Sequence, residues 1–153
     1  GALEYLSKKE NLDFPQIMNI LNQESGVLGI SKNLSSDFRE LKDAEIKYND
    51  TAALAREIFA YRVAKYIGSY AAAMNGVDNI VFTAGVGEND SDIREEICSY
   101  LEFLGITIDE VKNREQGEAF RISDGASKIN VLVIKTNEEL EIAREAAELV
   151  KGL

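Results

Sequence analysis

The feature that most constrains the fold is a short apolar run that ends in a glycine-rich turn. Residues 80–82 are Ile-Val-Phe, Gly85 and Gly87 follow Thr83, and residues 92–98 then have helix-like spacing. This order predicts a buried strand, a turn and a helix. In parallel α/β proteins, ligands bind at the carboxyl ends of strands, and glycine lets a ligand approach the main chain where a Cβ would block it. Nucleotide binding is therefore the first function to test.

Length and charge exclude several classes of protein. The chain has 153 residues, which suits a single domain over residues 1–153, and its formal net charge is -10. Because nucleic-acid binders need a basic footprint, we expect no nucleic-acid partner, and for the same reason no membrane partner. Total charge says little about one small anionic ligand, which responds to local groups.

Histidine is absent from the sequence, and Cys98 is its single cysteine. The lack of histidine removes Ser-His-Asp and Cys-His catalysis and the usual zinc sites. A single cysteine excludes an internal disulfide and fits a reducing cytosol, so we expect a cytoplasmic protein. We interpret Cys98, in a predicted helix, as a small buried apolar residue.

The second half of the sequence alternates between helix and strand signals, which predicts an α/β layer. Strands are expected at residues 79–83 and 129–134, the second with the continuous apolar run of a strand buried on both faces. Helices are expected at residues 52–74 and 90–104, and a weakly patterned one at 109–118.

A last helix is expected after the second strand. Thr136 and Glu139 match a capping box, with the threonine followed three residues later by the glutamate. The spacing of apolar residues predicts which side chains this helix buries. They are Leu140, Ala143, Ala147 and Val150.

The first half is predicted to be entirely helical. One helix should end before Asn11, and Pro15 should lie in the first turn of the next, where its missing N–H is harmless. Residues 25–30 are expected to form a glycine-punctuated loop, and residues 35–37 to start another helix. Two or three strands in all are few for a doubly wound sheet, which usually has about five.

Four segments resemble the acetate kinase family in order and kind. They match its nucleotide-loop signature, its glycine loop with an aspartate–arginine turn, its long helix and its carboxyl-terminal signature. The segments are residues 82–95, 24–39, 61–68 and 133–140. One glycine loop would be weak evidence, whereas four ordered segments that together cover essentially the whole chain identify it as a member of this family.

The resemblance implies a fold, an activity and an assembly. The fold is α/β, a partial ribonuclease-H-like domain of the actin, hexokinase and acetate kinase superfamily, helix-rich with a short, mainly parallel sheet. The activity is transfer of the ATP γ-phosphoryl group to acetate, which gives acetyl phosphate and ADP, with Mg²⁺ as cofactor. The assembly is a cytoplasmic homodimer of the full enzyme.

The similarity is to the carboxyl-terminal part of that family. Its members are considerably longer, and the remaining part would supply the amino-terminal domain, the catalytic arginines and histidine, and the phosphate-contacting strands. We therefore expect a fragment of an acetate kinase that has no catalytic residues of its own and is inactive alone. Two alternatives stay open: a non-catalytic nucleotide-binding or interaction module, and a fragment of a propionate or butyrate kinase.

By resemblance, two segments bind the nucleotide. They are Gly85, Val86, Gly87, Glu88 and Asn89, and Asp37, Phe38 and Arg39. Acidic side chains crowd the first segment and would repel a triphosphate, so we expect it to hold adenosine, with Asn89 or Glu88 bonding ribose or base edges. Arg39 would stack on the purine or pair with phosphate.

The same residues also have simpler interpretations. The first segment suits a tight turn in which Asn89 or Asp90 caps the following helix, because a lone glycine turn is a weak signal. Asp37 suits a helix cap, with Arg39 on the solvated surface.

By resemblance, Glu138 helps to hold Mg²⁺ through water. Mg²⁺ prefers carboxylate and phosphate oxygens and keeps several waters. The alternative is a helix-start acid that complements the helix dipole. Lys135 stands where the family usually has proline, which would stiffen the turn before Glu138.

Overall fold

The computed structural model describes residues 1–151. The chain forms two compact units, Gly1–Val63 and Ala64–Leu153. The single domain expected from the sequence stays a prediction.

The first unit is built from helices alone within the described residues. It contains α1 (Ala2–Glu10), α2 (Phe14–Asn19), a π-helical turn (Ile20–Glu24), α3 (Gly26–Ile30), α4 (Phe38–Ile46) and the first part of α5 (Asp50–Ala73). Its most buried apolar side chains are Ile17, Leu41, Ala52, Ala55 and Ala60.

Local sequence signals account for several of these helix boundaries. α1 ends at Asn11, whose backbone is left-handed with φ 53°. Pro15 lies in the first turn of α2, where Asp13 accepts a hydrogen bond from the Gln16 amide. Asp37 caps α4 in the same way. The predicted boundaries at these positions are therefore confirmed.

Gly26–Ile30 form helix α3 and Ser25 lies just before it, so the loop predicted at residues 25–30 is wrong. A Cβ added to Gly29 would lie 2.8 Å from the main-chain oxygen of Glu24. The glycine thus permits a close approach inside a helical turn, and its presence does not mark a loop here.

The long helix α5 agrees with its prediction. The Asn49 side chain accepts hydrogen bonds from the amides of Thr51 and Ala52, at 3.1 and 2.9 Å, and so caps its start. At the other end, Asn75 and Gly76 have φ values of 58° and 131°, which end the helix with a left-handed turn.

The second unit contains the sheet and the remaining helices. After the end of α5 come β1 (Asn79–Phe82), α6 (Ala84–Asn89), α7 (Ser91–Ser99), a 3₁₀ turn (Glu102–Leu104), α8 (Glu110–Asn113), β2 (Ala119–Arg121), β3 (Asn130–Ile134) and α9 (Glu138–Lys151). Its most buried apolar side chains are Ile93, Ile97, Leu101, Ile122, Val131 and Val133.

The sheet among the described residues has three strands in the order β1-β3-β2. β1 runs parallel to β3 with Ile80 opposite Val131, and β2 is antiparallel to β3. The predicted strands at 79–83 and 129–134 are confirmed. The sheet is mixed, however, because β2 is antiparallel to β3, and β2 forms at residues 119–121, where no element was predicted.

The last helix differs from its prediction in two ways. Asn137 caps α9 by accepting a hydrogen bond from the Leu140 amide at 3.1 Å, whereas the Thr136 hydroxyl bonds elsewhere, so the predicted capping box is wrong. No residue of α9 is buried. The expected burial of its apolar face is therefore also wrong for the part of the chain that the structure describes.

No helix within residues 1–151 combines the length and the apolar character that crossing a membrane requires.

Candidate functional site

The carboxyl ends of β1 and β3 lie at one edge of the sheet, because these two strands are parallel neighbours with Phe82 opposite Val133. The chain leaves β1 into α6, which begins at Ala84, and leaves β3 towards Thr136 and α9. Ligands of parallel α/β proteins bind at this edge. The topology thus brings the predicted nucleotide turn and the segment before Glu138 to the same place.

The glycine turn is a six-residue helix, α6. Its first residue, Ala84, is left-handed with φ 60°. A Cβ added to Gly85 would meet nothing within 4 Å, whereas one added to Gly87 would lie 3.4 Å from the main-chain carbon of Phe82. Gly85 therefore leaves open space at the sheet edge, and Gly87 packs against the strand.

A buried arginine holds the far end of α6. Arg94 is 2% exposed, and its Nη1 donates hydrogen bonds to the carbonyl oxygens of Gly87 and Glu88 at 2.9 and 3.0 Å. Its Nε donates to Asn113 Oδ1 at 2.8 Å, and its Nη2 donates to the Asn113 carbonyl. Burial lowers the pKa of the guanidinium, although the nearby Asp90 carboxylate opposes that shift.

Asn113 completes this network from α8. It is fully buried, and its Nδ2 donates to the carbonyl of Ser91 at 2.8 Å, in the first turn of α7. No buried side-chain nitrogen or oxygen of the described residues lacks a hydrogen-bond partner. A satisfied buried network of this kind sets a single conformation for the elements it joins.

Glu88 holds the near end of α6. Its Oε1 accepts hydrogen bonds from the Ala84 amide at 2.8 Å, from the Thr136 amide at 2.8 Å and from the Thr136 hydroxyl at 3.0 Å. These bonds, that of the Thr136 amide first, and the charge of Lys135 lower the pKa of the Glu88 carboxyl group. A carboxylate that accepts several N–H and O–H bonds is stabilised in its ionised form.

Asn89 and Asp90 divide the roles that the sequence left open. Asp90 caps α7 by accepting a hydrogen bond from the Ile93 amide at 3.2 Å. Asn89 is exposed, and its Nδ2 donates to the carbonyl of Gly85 at 2.9 Å. Its exposed amide side chain is therefore fixed at the Gly85 carbonyl, with its Oδ1 left to accept from a ligand.

The other predicted segment lies in the first unit, at the start of α4. Asp37 accepts from the Arg39 amide and also pairs with the Arg39 guanidinium, with Oδ2 to Nη2 at 2.6 Å. This pairing lowers the pKa of Asp37 to about 2. The Arg39 side chain is 89% exposed, so a planar cation stands in solvent with its orientation set by the cap.

Phe38 is a packing residue. Its ring contacts that of Phe59, with centroids 4.5 Å apart and the planes tilted by 59°. Aromatic pairs of this geometry stabilise a core, so Phe38 anchors the start of α4 and thereby places its two charged neighbours.

Glu138 is exposed in the first turn of α9. Within residues 1–151, no three carboxylate or cysteine side chains come together in a group that could hold a metal ion. Glu138 therefore fits Mg²⁺ only as one carboxylate added to a nucleotide-bound ion, which is how Mg²⁺ usually meets protein.

A separate cavity of about 300 Å³ lies beside α7. Its lining includes Glu95, Cys98, Glu102 and Asp124. Burial raises the pKa of the Cys98 thiol to about 12. Cys98 thus stays protonated at neutral pH, in agreement with the structural role that the sequence suggests.

Sequence reasoning missed three residues that shape this site, namely Arg94, Asn113 and Thr136. Arg94 lies inside a segment that resembles the family signature, so its presence there was a signal. Asn113 and Thr136 reach the turn only through contacts over 19 and 48 residues of sequence, which no local pattern reveals.

A family model and individual protein sequences match this chain and indicate the same family. The model of the Acetokinase family matches residues 1–144. The acetate kinase of Lachnoclostridium phytofermentans is 54% identical over 150 residues, which are 98% of this chain and 38% of that protein. The match is to the carboxyl-terminal portion.

Solved structures agree. The crystal structure of Porphyromonas gingivalis acetate kinase superposes with a TM-score of 0.89 at 44% identity, over 98% of this chain and 38% of that one. A propionate kinase from Francisella tularensis superposes with a TM-score of 0.85 at 42% identity, over 94% and 36%. The fold of this chain is therefore that of a part of these kinases, and the chain spans about 38% of the length of the first of these relatives.

Proposed function

The chain belongs to the acetokinase family, and we propose that it is the nucleotide-binding, carboxyl-terminal part of an acetate kinase. The complete enzyme would transfer the γ-phosphoryl group of ATP to acetate and yield acetyl phosphate and ADP. This chain would hold the adenosine end of the nucleotide.

One observation carries this proposal: Gly85 leaves open space at the carboxyl edge of the parallel strands, in a helix whose two ends are held from within. A Cβ at Gly85 would meet no atom within 4 Å. Glu88 and Arg94 hold the helix on either side of it. Because this surface is already formed before a ligand binds, little conformational entropy is lost on binding.

Charge favours adenosine over the phosphates as the group held by α6. Hydrogen bonds, that from the Thr136 amide first, lower the pKa of Glu88 and so stabilise its carboxylate form, and Asp92 follows in the next helix. A triphosphate placed against these carboxylates would be repelled. Asn89, with one donor and one acceptor group in its amide, suits a base edge or a ribose hydroxyl.

Arg39, in the first unit, is proposed as a cationic and stacking contact for nucleotide. Its guanidinium is planar and exposed, and Asp37 holds it on one edge. A guanidinium held in this way keeps its face available for stacking on a purine. Phe38 supports both residues through its contact with Phe59.

Glu138 is the residue that would hold Mg²⁺ in the nucleotide complex. When bound, this ion neutralises phosphate charge and helps to align the transferred group. The contribution of the chain is one exposed carboxylate at the start of α9, next to the segment that Glu88 binds.

Phosphoryl transfer by such enzymes depends on positioning and charge stabilisation more than on covalent chemistry. We assign no catalytic residue to this chain, and we expect that the remaining part of the enzyme binds the carboxylate substrate. The full enzyme is proposed to be a cytoplasmic homodimer. A propionate kinase is the second candidate, because a structure of that name superposes on 94% of the chain.

Calorimetric titration of the 153-residue chain with Mg-ADP, and separately with adenosine, tests the proposal. Saturable binding of both ligands supports an adenosine site in this chain. No heat from either ligand at millimolar concentration would overturn the claim that the chain holds nucleotide by itself. An assay of acetyl phosphate formation by the same sample should detect no product.

A further inference from the structure

Glu88 joins two segments that are 48 residues apart in sequence. Its Oε1 accepts hydrogen bonds from the amide of Ala84, at the start of α6, and from the amide and hydroxyl of Thr136, just before α9. Both segments leave the carboxyl ends of the parallel strands β1 and β3. One carboxylate oxygen thus connects the segments that follow β1 and β3, at the sheet edge where we propose that the ligand binds.

The hydrogen bond to Ala84 does the work of a helix cap. The preceding residue, Thr83, makes no side-chain cap bond to α6. The amide of Ala84, the first of this helix, therefore finds its acceptor in Glu88, four residues further along the same helix. Ala84 also has φ 60°, a conformation that residues other than glycine rarely adopt. Such a conformation persists only where surrounding bonds hold it.

The hydrogen bonds to Thr136 set the approach to α9. Thr136 precedes Asn137, whose side chain caps that helix through the Leu140 amide, and Glu138 is the first residue of the helix. Fixing Thr136 therefore fixes the backbone two residues before the carboxylate proposed to meet Mg²⁺.

We propose that Glu88 and Thr136 form a latch that couples the nucleotide turn to Glu138, so that nucleotide and Mg²⁺ strengthen each other's binding through it. This inference rests on the proposed function of the site. Both latch residues are positioning residues, because they act through the backbone of α6 and α9. Coupling of this kind is reciprocal, since each ligand must raise the affinity of the other by the same factor.

The bonding of Glu88 favours this role over direct contact with the nucleotide. Its Oε1 accepts three hydrogen bonds from the protein, and bonds to an ionised acceptor are the strong ones. Turning Oε1 away from these donors would leave the amides of Ala84 and Thr136 without their partner, which is unfavourable, so a ligand would meet this carboxylate only through its other oxygen.

Variants of the latch test the coupling. Thr136→Val removes the hydroxyl and keeps the shape and the amide, Thr136→Ser restores the hydroxyl, and Glu88→Gln removes the charge. Thr107→Val is the matched control, because the Thr107 hydroxyl donates to the Asp124 carboxylate at 2.7 Å, away from the nucleotide turn. The dissociation constant of ADP is measured by calorimetry with and without Mg²⁺ for each protein.

The latch predicts a change in the ratio of the ADP dissociation constants measured without and with Mg²⁺. Loss of a charge-assisted hydrogen bond is worth roughly a factor of ten. We expect Thr136→Val and Glu88→Gln to reduce the enhancement of ADP binding by Mg²⁺ by about this factor, and Thr136→Ser and Thr107→Val to keep it. Full enhancement in both Thr136→Val and Glu88→Gln would overturn the latch.

Amide hydrogen exchange without ligand separates the latch from the proposed function. If the unaltered chain binds no ADP, the proposed nucleotide site is wrong. The exchange rates, measured without ligand, then still test whether the latch couples the two segments. The latch predicts that Thr136→Val raises the amide exchange rates of both Ala84 and Leu140 by about tenfold. Thr107→Val should leave both rates unchanged. Unchanged rates, or a change at only one of the two segments, would contradict it.

Discussion

Arg94 joins Asn113 to the far end of the nucleotide turn. Its guanidinium donates to Asn113 Oδ1 at 2.8 Å and to the Gly87 carbonyl at 2.9 Å, and both side chains are buried. The position of the turn is therefore set from the interior of the second unit, by two residues that touch none of the space left open beside Gly85.

Replacing Arg94 should destabilise the fold. Arg94→Met keeps much of the volume but leaves the carbonyls of Gly87, Glu88 and Asn113 without their donor. We expect the free energy of unfolding to fall by about 3–5 kcal/mol, as for breaking a buried charged network. Urea denaturation at neutral pH measures this change.

The control for that variant is Arg144→Met. Arg144 is exposed on α9, 3.5 Å from Glu141, and an exposed pair of this kind contributes about 0–1 kcal/mol. Equal, small losses in Arg144→Met and Arg94→Met would contradict the structural role given to the buried arginine.

Two glycines of α6 form a matched pair of test positions. Gly85→Ala places a methyl group in open space, and Gly87→Ala places one against the main chain of Phe82. Neither residue has positive φ, so alanine should leave the fold intact and favour the helix by up to about 1 kcal/mol. Only Gly85→Ala should weaken ADP binding, by about tenfold if the methyl meets the ligand.

Calorimetric titration and a thermal melt of both alanine variants check this prediction. A loss of ADP affinity in Gly87→Ala equal to that in Gly85→Ala would mean that the helix as a whole has moved, and would remove the argument from open space.

The pairing of Asp37 with Arg39 should matter for ligand binding more than for stability. Asp37→Asn keeps a good helix cap and removes the carboxylate that holds the guanidinium. We expect the free energy of unfolding to change by less than about 0.5 kcal/mol, and the ADP affinity to fall by severalfold because the guanidinium is less ordered.

Arg39→Ala is the companion variant, measured by the same titration. It should lower ADP affinity more than Asp37→Asn does, because the proposed contact itself is removed. If Arg39→Ala binds ADP as tightly as the unaltered chain, the aspartate–arginine turn is no part of the nucleotide site.

Stability should fall in acid, partly through Glu88. The folded protein lowers the pKa of this carboxyl group from its ordinary value of 4.5, first through the Thr136 amide. The resulting stabilisation is fully present above the unfolded pKa and is lost as pH falls through the lowered folded value. Asp37 and Asp124 shift in the same direction and add to this loss.

The contribution of Glu88 is isolated by Glu88→Gln, which has no carboxyl group to titrate at this position. Unfolding free energies measured between about pH 5 and pH 3 should decline less steeply in this variant than in the unaltered chain. Parallel curves for the two proteins would show that Glu88 titrates alike in the folded and unfolded states.

The elements that the sequence predicted well are those with local causes. Helix α5 is bounded by Asn49 at one end and by Asn75 and Gly76 at the other, and β1 and β3 are continuous apolar runs. Caps and apolar periodicity act within a few residues, so a single sequence reveals them.

The elements that were missed depend on distant partners. β2 has only three residues and exists through its antiparallel pairing with β3. The turn at residues 84–89 is helical although it contains two glycines, because Arg94 and Glu88 bind its ends. Thr136 has the sequence of a helix cap, but Glu88 provides its hydroxyl with a charged acceptor 48 residues away. Tertiary contacts override weak local preferences in each case.

The sequence predicted where the candidate site lies, but it did not predict which side chains support it. The strand–glycine–helix order pointed to residues 85–89, and the structure gives that segment an open face at Gly85. Which side chains support the segment depends on contacts through Asn113 and Thr136, and those follow only from the folded chain.

The most direct test of the central claim is an amide chemical-shift titration of the ¹⁵N-labelled chain with ADP and Mg²⁺. We predict saturable shifts that are largest at residues 85–89 and at Asp37 and Arg39. Absence of shifts at millimolar ADP, or shifts confined to the cavity beside Cys98, would contradict the claim that the α6 turn holds the nucleotide.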